Sequence, residues 1–192
     1  MADPVAEHHE QVAAALQTFH IDLPETGLAR AIDPVIAWLG KASAVIWPIL
    51  VITITANVLM RYVIGKGLIE FEEIQWHLYA IGFLLAQAWA AQGDGHVRID
   101  VLAEHYPNRT KCWVELIGIL VFLLPFIAVV LWYSVPFIAY SYRIHEISEA
   151  PGGLPFRWAI KAFLFIGFLL LGAATLARLS RVVKALFGPR GA

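Results

Sequence analysis

Charge is scarce in this sequence. Of its 192 residues, 15% are Asp, Glu, Lys or Arg and 59% are hydrophobic, whereas a soluble domain carries about 25% charge. A mean hydropathy of +0.68 and the clustering of the few charges exclude an ordinary water-soluble domain and point to an integral membrane protein. Cysteine is nearly absent. The single Cys112 excludes an intrachain disulfide and a multi-cysteine metal site, and it reads as a small apolar residue at a helix start. Bases are missing from residues 1–27, which hold five acids (Asp3, Glu7, Glu10, Asp22, Glu25). The opening MADPVAEHHE therefore lacks the basic region and apolar core of a signal peptide, and the first span is expected to direct insertion itself. Residues 1–27 read as an acidic polar tail. The remainder holds ten acids against fourteen bases, a balance of +4 with no patch suited to nucleic acid.

Chemistry-bearing constellations are also lacking. No nucleophile–base set, phosphate loop or metal-ligand spacing is present, so the chain is not expected to be an enzyme or to hold a metal or cofactor. His77 is the only histidine inside an apolar run, barely a turn past Glu73, and a haem would need a second histidine at facing depth. His8, His9 and His20 lie in the tail. Glu70, Glu72 and Glu73 precede the second apolar run, where acids favour the positive end of a helix dipole. No Asp, Glu, Lys or Arg falls in the middle of any apolar run, although transport paths usually place ionisable groups there.

What is present is length in apolar runs. Nineteen uncharged residues separate Lys41 from Arg61, twenty run from Ile74 to Gly93, twenty-seven from Leu116 to Tyr142, and sixteen from Ala162 to Ala177. The last is extended by Trp158–Ile160 if Lys161 snorkels. About 20 residues rising 1.5 Å each cross a hydrocarbon core of about 30 Å. The expected fold is thus an all-α integral membrane protein with four transmembrane helices, at about 34–61, 73–92, 112–140 and 158–179. The transmembrane domain covers 28–186, and 187–192 form a short C-terminal tail. Four spans put both termini on one side, with nine bases (Arg30, Lys41, Arg98, Arg109, Lys111, Arg178, Arg181, Lys184, Arg190) against five (Arg61, Lys66, Arg143, Arg157, Lys161) on the other. The positive-inside bias places both termini in the cytoplasm.

Local signals add detail. Asp33 followed by Pro34 reads as an N-cap and first helical residue, and LARAI (28–32) as a short helix able to lie along the interface. Pro48, Pro125 and Pro136 predict kinks. Thr53, Asn57 and Arg61 form a narrow polar stripe on the first span. Gly82, Ala86 and Ala90 form a small-residue stripe on the second, and Gly167, Gly172, Ala173 and Ala177 a less regular one on the fourth; such surfaces let helices approach closely. Between the second and third spans, GDGHVRID alternates polar and apolar residues. Asp100 then serves as an N-cap for VLAEHY, which Pro107 ends. His96, Arg98 and Asp100 fall together in this loop on the terminal side. With Gly82, Ala86, Ala90, Thr53 and Asn57 they are the candidate subunit-interface residues.

The run EEIQWHLYAIGFLLAQAWAAQGDGHVRIDVLAEHYP resembles the small membrane subunit of tripartite ATP-independent periplasmic (TRAP) transporters, the DctQ family. Gly95, His96, Val97, Arg98, Ile99, Asp100, Val101 and Leu102 match the family's glycine–His–x–Arg–x–Asp segment in order, and GGLPFRWAIK (152–161) resembles a further pattern. The resemblance covers roughly residues 33–184. It implies a scaffold and anchor in the bacterial inner membrane. The partners it implies are a large membrane subunit, here a separate chain, a periplasmic substrate-binding protein and membrane lipids. The imported solute would be a small molecule such as an organic acid. The coupling ion, commonly Na+, would sit in the large subunit, leaving no cofactor here. The alternative from another class is a stand-alone four-helix membrane protein, such as a cytochrome-type electron carrier or a small channel.

Overall fold

A computed structural model describes residues 23–65, 67–93 and 107–188. Among them every regular element is helical. Helix α1 (Gly27–Ser43) starts at Thr26, whose hydroxyl accepts the Ala29 N–H at 3.2 Å. The expectation that Asp33 is the N-cap is thereby corrected. Asp33 and Pro34 lie inside α1, because Thr26 already caps the helix and the Asp33 carboxylate is engaged by Arg181. Residues 28–32 are the first turns of this longer helix.

Ala44 and Val45 keep right-handed helical angles, so α1 continues into α2 (Ile46–Leu59) and a π-turn (Met60–Ile64). The continuous helix Gly27–Ile64 is 38 residues long. Its junction tightens where the amides of Ala44, Val45 and Trp47 bond carbonyls three residues back, just before Pro48, which has no N–H to give Ala44. Gly65, at φ 74°, stops it; this left-handed conformation is cheap only for glycine.

Helix α3 (Ile69–Gln92) returns antiparallel to α1 and α2. Helix α4 (Asn108–Ile117) passes through a second π-turn (Gly118–Leu123) into α5 (Leu124–Arg143). Helix α6 (Arg157–Phe187) closes the fold. The π-turn ends just before Pro125, whereas α5 runs on through Pro136 without a break in its α-helical pattern.

Among the described residues three helices are long and apolar enough to cross a membrane: Gly27–Ile64, Asn108–Arg143 and Arg157–Phe187. At 24 residues, α3 is about 36 Å long, but Gln75, His77, Gln87 and Gln92 make it less apolar. Its position accounts for that tolerance. It packs on α1, α2 and α6, and α6 in turn packs on α1, α3, α4 and α5. The pair α3–α6 is thus the centre, flanked by α2 and α5. Small residues permit the closeness: a methyl on Gly40 would fall 2.4 Å from Trp89 Cγ, and one on Gly167 2.8 Å from the Leu84 carbonyl oxygen. Ile36, Ala88 and Ala174 join α1, α3 and α6 in one core cluster; Cys112, Leu116 and Val182 join α4 to α6 in another.

Candidate functional site

The ion pairs between helices gather at the two ends of the bundle. At the end where the described chain begins and finishes, Arg178 of α6 pairs with Glu115 of α4, and Arg181 with Asp33 of α1. Gln92 Nε2 donates to the Asp33 carbonyl at 3.0 Å, the Thr26 and Ser180 hydroxyls meet at 2.6 Å, and Lys184 Nζ donates to the Glu25 carbonyl at 2.7 Å. Glu115 and Arg178 are largely buried. Such a pair contributes strongly to structure only while both partners are in place. Four helices are tied together here by bonds of long sequence separation.

At the far end, the connection 144–156 folds over the start of α3. Glu73 is buried. Its carboxylate accepts the Ser148 hydroxyl and, at 2.5 Å, the Leu154 N–H. Lys161 Nζ donates to Glu146 at 2.5 Å, and this bond holds the Glu146 carboxyl below the usual carboxylate range. The Arg157 guanidinium lies 5.5 Å from the Trp76 ring centre, and Arg61 pairs with Glu72 across the α2–α3 turn. His145 (φ 46°) and Phe156 (φ 65°) adopt left-handed angles that reverse the chain within this connection. The sequence suggested only a dipole role for Glu70, Glu72 and Glu73. Glu73 is instead a clamp, and the one local hint was the Ser148–Pro155 stretch, rich in turn residues and requiring an anchor.

The residues singled out from the sequence are distributed as follows. Thr53 Oγ1 donates to the Ile49 carbonyl at 2.8 Å within its own helix. Asn57 is 7% exposed, and its Oδ1 has no hydrogen-bond partner among the described residues. Arg61, the third member of that stripe, turns to Glu72. Gly82 is buried where Ile46 and Trp47 of α2 cross it, Ala86 is half-buried and Ala90 is exposed. His77 Nδ1 lies 2.5 Å from the Glu73 carbonyl oxygen, one turn back. His96, Arg98 and Asp100 lie outside the described residues. Among the described residues no group of three or more His, Cys, Asp or Glu side chains could hold a metal ion.

Long helices whose apolar runs carry no charge define an integral membrane protein. The family model for the DctQ component of tripartite ATP-independent periplasmic transporters matches residues 50–185. The chain belongs to this family, and is the small membrane component of such a transporter. No curated protein and no solved structure matches it.

Proposed function

We propose that this chain is the scaffold and membrane anchor of a secondary transporter. It crosses the inner membrane four times with both termini in the cytoplasm and packs against a separate large membrane subunit. That subunit carries the path for a small solute, an organic acid by family resemblance, delivered by a periplasmic binding protein and driven by an ion gradient such as Na+. The observation that carries this reading is the distribution of charge. The four apolar runs hold no Asp, Glu, Lys or Arg, and the ion pairs are spent on tying helix ends together. Transporter sites usually need ionisable or interrupted helices at mid-membrane. A fourth crossing by α3 is supported by its length and by its cover of neighbouring helices, since polar amides are tolerated where protein rather than lipid surrounds them.

The test is reconstitution. Proteoliposomes holding this chain alone should show no sodium-dependent uptake, and uptake should require the large subunit together with the substrate-loaded binding protein. Uptake by this chain alone overturns the scaffold assignment. The loop carrying His96, Arg98 and Asp100 is a further proposed contact to the large subunit: Asp100→Ala should reduce recovery of that subunit in a pull-down while leaving this chain inserted.

A further inference from the structure

The connection 144–156 is closed on itself by backbone bonds that nest one inside another. The Arg157 N–H donates to the Glu146 carbonyl at 3.3 Å, the Ser148 N–H to the Leu154 carbonyl at 3.2 Å, and the Gly153 N–H to the Ala150 carbonyl at 2.9 Å. The innermost closure is the turn Ala150–Pro151–Gly152–Gly153. Proline stands second in it and Gly152 third, at φ 83°, the arrangement a type II turn requires. None of these three bonds involves α3, so the loop holds its own shape.

That framework aims two donors at one point. Ser148 Oγ accepts the Ala150 N–H at 3.3 Å, which leaves its own proton to donate, and it donates to Glu73 Oε1. Leu154 spends its carbonyl inside the loop and turns its N–H to Glu73 Oε2 at 2.5 Å. Each carboxylate oxygen thus has a donor of its own. Gly153 keeps the space open, since a Cβ there would lie 2.9 Å from Glu73 Oε1. Glu73 is 4% exposed, and hydrogen bonds to a charged acceptor are strongest out of water.

The charges around this point are few. Arg157, at the start of α6, lies over the Trp76 ring, and Glu70 Oε1 lies 3.4 Å from where a Cβ on Gly152 would sit. The pair Arg61–Glu72 provides the contrast. It joins two exposed side chains, each free to turn, and so contains no receptor fixed in advance.

We infer that the loop 148–154 is a preorganised binding site for a carboxylate group, and that Glu73 is its built-in ligand, fastening the loop to α3, rather than a part that shapes it. The site should therefore outlast the loss of Glu73 and take up a free small carboxylate. Glu73→Ala removes one methylene and the carboxylate, whose heavy atoms are those of acetate. The test follows the thermal midpoint of the full chain in detergent, in sodium acetate and in equal sodium chloride. For Glu73→Ala, acetate should raise the midpoint saturably, by about 3–6 °C at ten times its dissociation constant. The wild type, whose site is full, should not respond. Acetamide has the shape of acetate but one acceptor oxygen and no charge, and it should not raise the midpoint of Glu73→Ala. Adding Ser148→Ala to Glu73→Ala should remove most of the rise with acetate. No rise in acetate up to about 0.5 M, or an equal rise with chloride, with acetamide or in the wild type, overturns the inference. If Glu73→Ala does not fold, Glu73→Gln compared with Glu70→Gln decides. Glu73→Gln fills the same space but sets an amide NH2 against one of the two donors, so it should melt below Glu70→Gln, and equal midpoints overturn the site.

Discussion

Two glycines on α6, five residues apart, give opposite expectations for the same substitution. A Cβ on Gly167 would lie 2.8 Å from both the Cβ and the carbonyl oxygen of Leu84 on α3, and 3.2 Å from its carbonyl carbon. Non-bonded carbons prefer about 3.5–4.0 Å. The obstacle is largely backbone, so no side-chain rotation relieves it, and α3 and α6 must move apart by about 0.7–1.2 Å. A Cβ on Gly172 meets only Ile127 Cγ2, at 3.4 Å, a contact that a small shift of a side-chain methyl relieves. Both substitutions to alanine gain about 0.5–1 kcal/mol from lower backbone entropy in a helix. That gain cancels when the two variants are compared with each other. What remains is overpacking at the central helix pair, worth about 1–3 kcal/mol. Each kcal/mol moves a thermal midpoint by about 2–4 °C for a chain of this length. In detergent, followed by circular dichroism, Gly167→Ala should therefore unfold several degrees below Gly172→Ala, with the latter at or above wild type. Equal midpoints, or a lower one for Gly172→Ala, would refute the close α3–α6 contact.

Other expectations concern the two ends of the bundle. Glu115→Ala should cost about 3–5 kcal/mol, because it leaves a largely buried arginine without the carboxylate it faces, and the double variant Glu115→Leu/Arg178→Met should recover much of that loss; a double variant no more stable than the single one counts against the pair. The Glu146 carboxyl is lowered from its ordinary value of 4.5, chiefly by its bond from Lys161. A depressed folded-state pKa means the stabilisation is complete above the unfolded value and is lost as pH falls through the lower folded value. The wild type should thus lose stability below about pH 4.5 more steeply than Lys161→Met, and matching profiles would remove the linkage. Glu73→Ala should expose the 144–156 connection to limited proteolysis, since both of its bonds, to Ser148 and Leu154, vanish. In a background lacking Cys112, a cysteine at position 152 should react with an impermeant reagent added from outside while one at 108 should not; the reverse pattern inverts the proposed orientation.

The apolar runs were legible because charge brackets them. Lys41 and Arg61 bound one and Glu73 and Asp94 the next, and about twenty uncharged residues are enough to cross a bilayer. What was not legible is where one helix ends and another continues. Asp33–Pro34 carries a strong local signal for a helix start, yet the helix begins seven residues earlier, at Thr26. The reason is a contact no local rule contains: Arg181, 148 positions away, takes the Asp33 carboxylate. Prolines show the same limit. Near Pro48 the junction bonds reach carbonyls three residues back, near Pro125 the helix passes through a π-turn, and the α-helical pattern of α5 continues through Pro136; sequence alone does not say which response the surroundings permit.

The same division between local and distant information governs the candidate site. That Gly82 marks a close approach could be read from spacing; that the approaching residues are Ile46 and Trp47 of the same chain could not. The carboxylates Glu73 and Glu115 are each explained by a partner 63 to 81 residues away, beyond the range of any helical period. Taken together, these bonds explain why the most polar of the long helices is also among the most enclosed. Helix α3 carries Gln75, Gln87 and Gln92, and each is shielded by α1, α2 or α6 rather than presented wholly to hydrocarbon. A helix pair holding a translocation site would place such polarity, or a break in the helix, at its centre. Here the centre of the pair is Leu84 against Gly167, where even a Cβ would meet backbone at 2.8 Å, a contact with no room for a solute.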